Sequence, residues 1–180
     1  RGDYATIATT NWQPYDWSIN NVAAAEVMHT ALAYYQAGRT DAAYRLMMGN
    51  IIDQMYEGQS PANFGQISKY DAARGECYRD FGDCIGISSR TLLQGLFGIQ
   101  PQALFGKCII RPGFPSSWDH ASVNTPYLSY TYRRMGRKVM IEVDQHFSKP
   151  LTIVLRVNMG GGLYRDVEGT TEQHQVLTVE

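Results

Sequence analysis

Apolar residues recur at helical spacing through the first half of the chain and at every second position through the latter half, and the period changes near Pro101. From about Asn21 to Ala37, Val22, Ala25, His29, Leu32 and Gln36 fall on one stripe with small alanines between them, and Gly38 ends the segment. Asn20 and Asn21 are good N-cap candidates for this helix, and His29 reads as a hydrogen-bonded core histidine. A second helix, with Thr40 as its cap, carries Tyr44, Met47, Met48, Ile51, Ile52 and Met55 on one amphipathic face. The short link at Gly38 and Arg39 implies an antiparallel helical hairpin, and the methionines read as core filler. A third helix is expected within the run 75–101, GECYRDFGDCIGISSRTLLQGLFGIQP. Its apolar positions Ile85, Ile87, Leu92, Leu93, Leu96 and Phe97 suit burial on most sides, and Gly98 is its C-terminal stop.

Beyond Pro101 the alternation predicts strands over 107–111, 127–133, 138–144, 151–157 and 176–180, cleanest at Leu151, Ile153, Leu155 and Val157. Met135-Gly136 marks a hairpin turn. The run Gly160-Gly161-Gly162 lacks the Lys and following helix of a phosphate loop and reads as a connector. The fold class is therefore α+β: helical hairpins over residues 1–101, then an antiparallel β-sandwich over 102–180.

Composition narrows the partners. With 16 Lys and Arg against 17 Asp and Glu, scattered along the chain, there is no electrostatic footprint for nucleic acid. No apolar run is long enough to span a membrane. Cys77, Cys84 and Cys108 form no C-x-x-C pair, so neither a disulfide framework nor a zinc site is indicated, and the four histidines are too dispersed for a ligand set. No cofactor is implied. The chain opens at Arg1 and ends inside a strand-like run, as a piece of something longer would.

The chemistry concentrates ahead of helices. Glu76, Asp80 and Asp83 lead into the third helix; Trp12, Tyr15, Asp16 and Trp17 precede the first. Carboxylates at a helix entrance stabilise it through the dipole and by capping free amides, by about 0.3–1 kcal/mol each. The same position also holds a general acid or base rigidly at the mouth of a cavity, and aromatic side chains in loops suit the apolar faces of sugar rings. The polar segment 58–75, with Phe64 and Tyr70, is long enough to be functional.

Three strings, in order, resemble one group of proteins. ALAYYQAGRTDAAYRLMMGNII resembles a helix, turn and helix late in the (α/α)6 barrels of glycoside hydrolases, in particular family 95 α-L-fucosidases and family 78 α-L-rhamnosidases. DFGDCIGISSRTLLQGLFGIQP is similar to their last inner helix, and IIRPGFPSSWDHASV to the segment leading into their C-terminal sandwich. The resemblance covers roughly residues 12–134. It implies an incomplete set of (α/α)6-barrel hairpins, a bacterial hydrolase acting on plant or host glycans, and a periplasmic or secreted location.

By that resemblance Asp80, just before Phe81-Gly82, is the first candidate for a catalytic carboxylate and Glu76 the second. Asp83 is a first-turn acid or a sugar contact. Trp12, Tyr15, Asp16, Trp17, Asn20, Arg79 and Trp118 are the candidate substrate-binding residues. Inversion at a glycosidic carbon needs a protonated and an ionised carboxyl about 6.5–9.5 Å apart. The general acid would come from an earlier hairpin, so the chain alone is expected to be inactive. Its helices would leave an apolar face for the missing N-terminal part or another copy to cover. The competing reading is a non-catalytic carbohydrate-binding or scaffold module in which the acids only cap helices.

Overall fold

The computed structural model describes residues 4, 6, 7, 22–56 and 82–180, and is mixed helix and sheet. The chain divides into two compact units, Arg1–Leu92 and Leu93–Glu180. Among the described residues no helix is long and apolar enough to cross a membrane.

The described part of the first unit is helical: α1 (Ala24–Gln36), α2 (Thr40–Ile51) and α3 (Gly82–Arg90). The last two run on as π-helical turns, Ile52–Tyr56 and Thr91–Leu96. Helix α1 stops in a Schellman arrangement. Gly38, at φ 74°, lets its own N–H reach the Tyr35 carbonyl and the Arg39 N–H reach that of Tyr34, which satisfies carbonyls that a helix end leaves orphaned.

The buried residues of α1 are Ala24, Ala25, Val27, Met28, Ala31, Leu32 and Tyr35. Of the expected stripe, Ala25 and Leu32 are buried and Val22 is half-buried, whereas His29 and Gln36 are exposed. Met28 and Tyr35 are buried in place of those two, and their side chains remove more apolar surface from water than an imidazole or an amide would. The Tyr35 hydroxyl lies 3.9 Å from the Met47 sulfur across the hairpin. Neither helix start uses the expected cap. Ala23 stands at the N-cap of α1 and Arg39 at that of α2, both without a side-chain capping bond, and Thr40 is already helical. Asn20 and Asn21 lie outside the described residues.

Two buried polar side chains tie these helices together. The Asn50 amide, fully buried, donates to the Ala24 carbonyl at 3.0 Å, and the Thr91 hydroxyl donates to the Met28 carbonyl at 3.1 Å. Helix α3 departs from the expectation of burial on most sides: Ile87 and Leu96 are buried, whereas Ile85, Leu92 and Leu93 are 43%, 40% and 39% exposed.

The second unit holds eight strands in two four-stranded sheets. They are β1 (Ile99–Gln102), β2 (Lys107–Ile110), β3 (His120–Asn124), β4 (Leu128–Met135), β5 (Lys138–Gln145), β6 (Thr152–Gly160), β7 (Leu163–Glu168) and β8 (His174–Val179). The sheet orders are β1-β2-β6-β7 and β3-β4-β5-β8. All neighbours are antiparallel except β2 and β6, which run parallel, a departure from the purely antiparallel expectation. The parallel pair follows from the topology: β3 to β5 form the other sheet, so the chain crosses over and returns to β2 in the same direction.

Alternation buries Leu128, Tyr130 and Tyr132 on β4, Val139, Ile141 and Val143 on β5, Ile153 and Leu155 on β6, and Leu177 and Val179 on β8. Two buried glutamines stand in for missing backbone partners. Gln145 accepts from the Leu151 N–H at 2.9 Å and donates to the carbonyls of Leu151 and Glu172. Gln175 accepts from the Thr170 N–H and donates to the Thr170 and Glu172 carbonyls. Both hold irregular connections against the sheet without orphaning polar groups.

At the start of this unit the chain leaves the helix through Gly98, at φ 68°, and runs against the segment after β2. The Arg111 N–H donates to the Gly98 carbonyl and the Gly113 N–H to that of Leu96, each at 2.9 Å. A Cβ on Gly98 would lie 1.9 Å from the Arg111 carbonyl oxygen. Gly106, at φ 66°, shares the left-handed conformation, but a Cβ there would meet nothing within 4 Å. The two glycines therefore separate backbone strain from steric exclusion. Gly106→Ala is expected to cost about 1 kcal/mol, and Gly98→Ala about 3 kcal/mol or more, or to prevent folding. Paired urea titrations of the two variants check this; equal losses would show that the contact at Arg111 yields easily.

Candidate functional site

The acidic and aromatic stretches singled out by sequence fall largely outside the described residues: Trp12, Tyr15, Asp16, Trp17, Asn20, Glu76, Arg79 and Asp80 all do, as do Phe64 and Tyr70. What is described is the helix they lead into. Helix α3 starts at Gly82, so Asp83 occupies its second position, and the string Glu76 to Phe81 stands immediately before its N-terminus. Helix α1 likewise starts a few residues after Trp17, at Ala24.

Trp118 belongs to the second unit and is half-buried. Its indole stacks on Phe114, with centroids 5.7 Å apart and planes at 20°. Phe114 also meets Phe97 edge-on at 5.7 Å and Tyr132 at 4.8 Å. One face of Trp118 is therefore committed to an aromatic cluster that closes the connection between β2 and β3. Tyr130 extends this cluster by donating from its hydroxyl to the Phe97 carbonyl at 2.5 Å, and burial raises its pKa well above the usual tyrosine value.

Ionisable groups on the sandwich cluster on its outer faces. On one sheet, Arg156 on β6 grips Asp166 on β7 with two bonds, Nε at 2.8 Å and a terminal nitrogen at 2.6 Å, and that bond holds the Asp166 carboxyl below its ordinary range. Lys107 pairs with Glu168 at 2.8 Å. On the other sheet, Asp119 bonds His120 at 2.6 Å, which lowers the Asp119 pKa. His174 on β8 places Nδ1 2.9 Å from Asp144 and Nε2 3.7 Å from Glu142, both on β5. His146 Nδ1 lies 3.1 Å from the Gln173 amide.

Composition and spacing did not mark this outer face. The signal was in the register: once Leu128, Tyr130 and Tyr132 are inward, Tyr127, Ser129 and Thr131 belong to the opposite face. Tyr127 is 64% exposed, and its ring lies parallel to that of Phe147, with planes 1° apart and centroids at 6.4 Å.

Among the described residues no group of three or more His, Cys, Asp or Glu is placed to hold a metal ion. Cys84 and Cys108 are buried, and burial pushes the Cys108 thiol up to about 11, so it carries little nucleophilic thiolate at neutral pH.

The His174 pair makes a signed prediction. The bond to Asp144, followed by the field of Asp144 and Glu142, raises the His174 pKa above its ordinary value. A raised folded-state pKa contributes stability that is complete below the unfolded value of about 6.5 and disappears as pH climbs through the folded one. Thermal unfolding of the protein is therefore expected to show a melting temperature that falls as pH rises above about 6.5, and His174→Gln to flatten that slope. An unchanged slope in the variant would assign the dependence to another group.

By sequence the chain matches no known family model and no characterised protein.

Proposed function

We propose that this chain is the C-terminal portion of a periplasmic or secreted glycoside hydrolase, contributing the last hairpins of an (α/α)6 barrel and the sandwich that follows. In this reading the loops before α1 and α3 face the substrate. Asp80, with Glu76 as second candidate, serves as base or sugar-binding carboxylate, and the general acid comes from an earlier hairpin. Trp12, Tyr15, Asp16, Trp17, Asn20, Arg79 and Asp83 would line the sugar.

The observation that carries this reading is the apolar strip on the third helix. Ile85, Leu92 and Leu93 are i, i+7 and i+8 and each about 40% exposed, although this helix carries the string that resembles a last inner barrel helix. Neighbouring barrel helices would cover such a strip. The element order adds support, because the three resembling strings fall on α1 and α2, on α3 with β1, and on β2 through β3.

Two measurements test the proposal. The 180-residue chain alone is expected to release no product from aryl glycosides, and robust turnover would place a complete catalytic pair within it. In a longer protein carrying the earlier hairpins, Asp80→Asn is expected to lower kcat by about a thousandfold with the melting temperature kept, as loss of a general base does. Glu76→Gln is the parallel variant. Full activity in both would favour the non-catalytic carbohydrate-binding or scaffold module, with the carboxylates acting as helix caps.

A further inference from the structure

We infer that one end of the sandwich, built from the β4-β5 and β6-β7 hairpin tips, docks on an anionic lipid bilayer surface. The first tip is Arg133-Arg134-Met135-Gly136-Arg137-Lys138, in which Met135 pairs with Lys138 across a tight turn. It holds four of the chain's 16 Lys and Arg, so cations scattered along the sequence gather in space. The second tip is Met159-Gly160-Gly161-Gly162-Leu163-Tyr164-Arg165, a glycine turn with Met159 and Leu163 on either side. Glu180 brings the two together: its carboxylate lies 3.4 Å from Lys138 Nζ, and its backbone carbonyl accepts from the Arg165 guanidinium. The cations here keep their charge. Arg134 and Arg165 are held by the carbonyls of Ser116 and Glu180, which orient a guanidinium without neutralising it. Arg133 and Arg137 are exposed and have no acidic partner among the described residues. Against them stand the Glu180 carboxylate, already on Lys138, and Asp119, which bonds His120 and lies opposite Arg134. Asp166 is committed to Arg156, so the balance is positive.

Apolar side chains project among these cations. Leu163 is 71% and Met135 56% exposed, and Met159 and Tyr164 are exposed beside them. The Arg111 guanidinium lies over the Tyr164 ring, 5.8 Å from its centroid. The occupant must therefore offer negative charge and hydrocarbon within a side chain's length of each other. The boundary between headgroups and acyl chains offers both, and it deforms around a protruding tip. A nucleic acid or an acidic polysaccharide supplies the charge without the hydrocarbon. An acidic protein would need two apolar sockets matched to two convex tips. The opposite end of the sandwich isolates the contribution of charge. There Leu104 and Phe105 stand exposed between β1 and β2, beside the start of β6, but Lys107 is neutralised by Glu168 at 2.8 Å. That end has the apolar tip without the positive field.

The surface uses no residue of the hydrolase reading, so the two fail separately. The test is co-sedimentation of the full 180-residue chain with vesicles of phosphatidylcholine, alone or mixed with phosphatidylglycerol, at low and high salt. Binding to the mixed vesicles at low salt is expected, weakened by salt, with none to phosphatidylcholine alone. Arg133→Gln and Arg137→Gln should each weaken it about fivefold, the worth of one basic side chain at an anionic surface. Leu163→Ser should weaken it about tenfold, through lost apolar insertion, while Phe105→Ser at the other end leaves it unchanged. All four positions are exposed, so a melting temperature equal to that of the parent confirms folding, and Met135→Ser replaces Leu163→Ser if that variant unfolds. The inference is overturned if the chain ignores anionic vesicles, if it binds neutral ones equally well, or if Phe105→Ser releases it and Leu163→Ser does not. Binding lost in the arginine variants but untouched by Leu163→Ser and Met135→Ser would assign this end to a soluble polyanion or an acidic protein, and overturns it as well.

Discussion

Where the helical period ends, the backbone of Gly98 lies against that of Arg111 more closely than any side chain would allow, and the arrangement of the sandwich unit depends on that approach. The carbonyls of Leu96 and Gly98 receive the N–H groups of Gly113 and Arg111, and β1 and β2 continue the same antiparallel pairing. The carbonyl of Phe97, which points the other way, receives the Tyr130 hydroxyl from the opposite sheet. Three consecutive carbonyls that a helix end would leave without partners are thereby satisfied by two sheets at once. Phe97 and Phe114 meet above this junction, and the aromatic cluster that includes Trp118 and Tyr132 is built on the position they fix.

The legibility of the fold in the sequence followed burial. Strands β4, β5 and β8 each bury one face in the core and β6 buries Ile153, Val154 and Leu155 in succession, so all four carry a strong apolar signal and appear where the pattern places them. Strands β1, β3 and β7 were invisible, and all three are sheet edges. His120–Asn124 alternates only between exposed and half-buried, no residue of Leu163–Glu168 is buried, and Ile99–Gln102 contains a proline that an edge tolerates and a central strand would not. On α1 the expected stripe holds at Ala25 and Leu32 and fails at His29 and Gln36. Alanines occupy so many positions that a stripe through His29 looked as continuous as one through Met28 and Tyr35. Packing, and not the pattern, decides between them. Trp118 stood out for its residue type, and one face of its half-buried ring stacks on Phe114; Tyr127 did not stand out, because register, and not composition, assigns it to the outer face.

Among the described residues the two units treat buried polarity differently. In the sandwich, Gln145 and Gln175 are buried and bonded through both amide atoms, so each replaces a stretch of backbone ladder at little net cost. Among the described residues of the helical unit, Asn50 Oδ1 and Ser88 Oγ are buried without a partner. An orphaned buried oxygen costs about 1–3 kcal/mol, and exposed apolar side chains at Ile85, Leu92 and Leu93 forfeit burial that neighbouring helices would supply. Among the described residues, both the unpartnered oxygens and the exposed apolar side chains fall on α2, on α3 and on the π-helical turn that continues α3. The unmet polar and apolar demands of the helical unit therefore lie on two helices, whereas the sandwich satisfies its buried amides within its own connections.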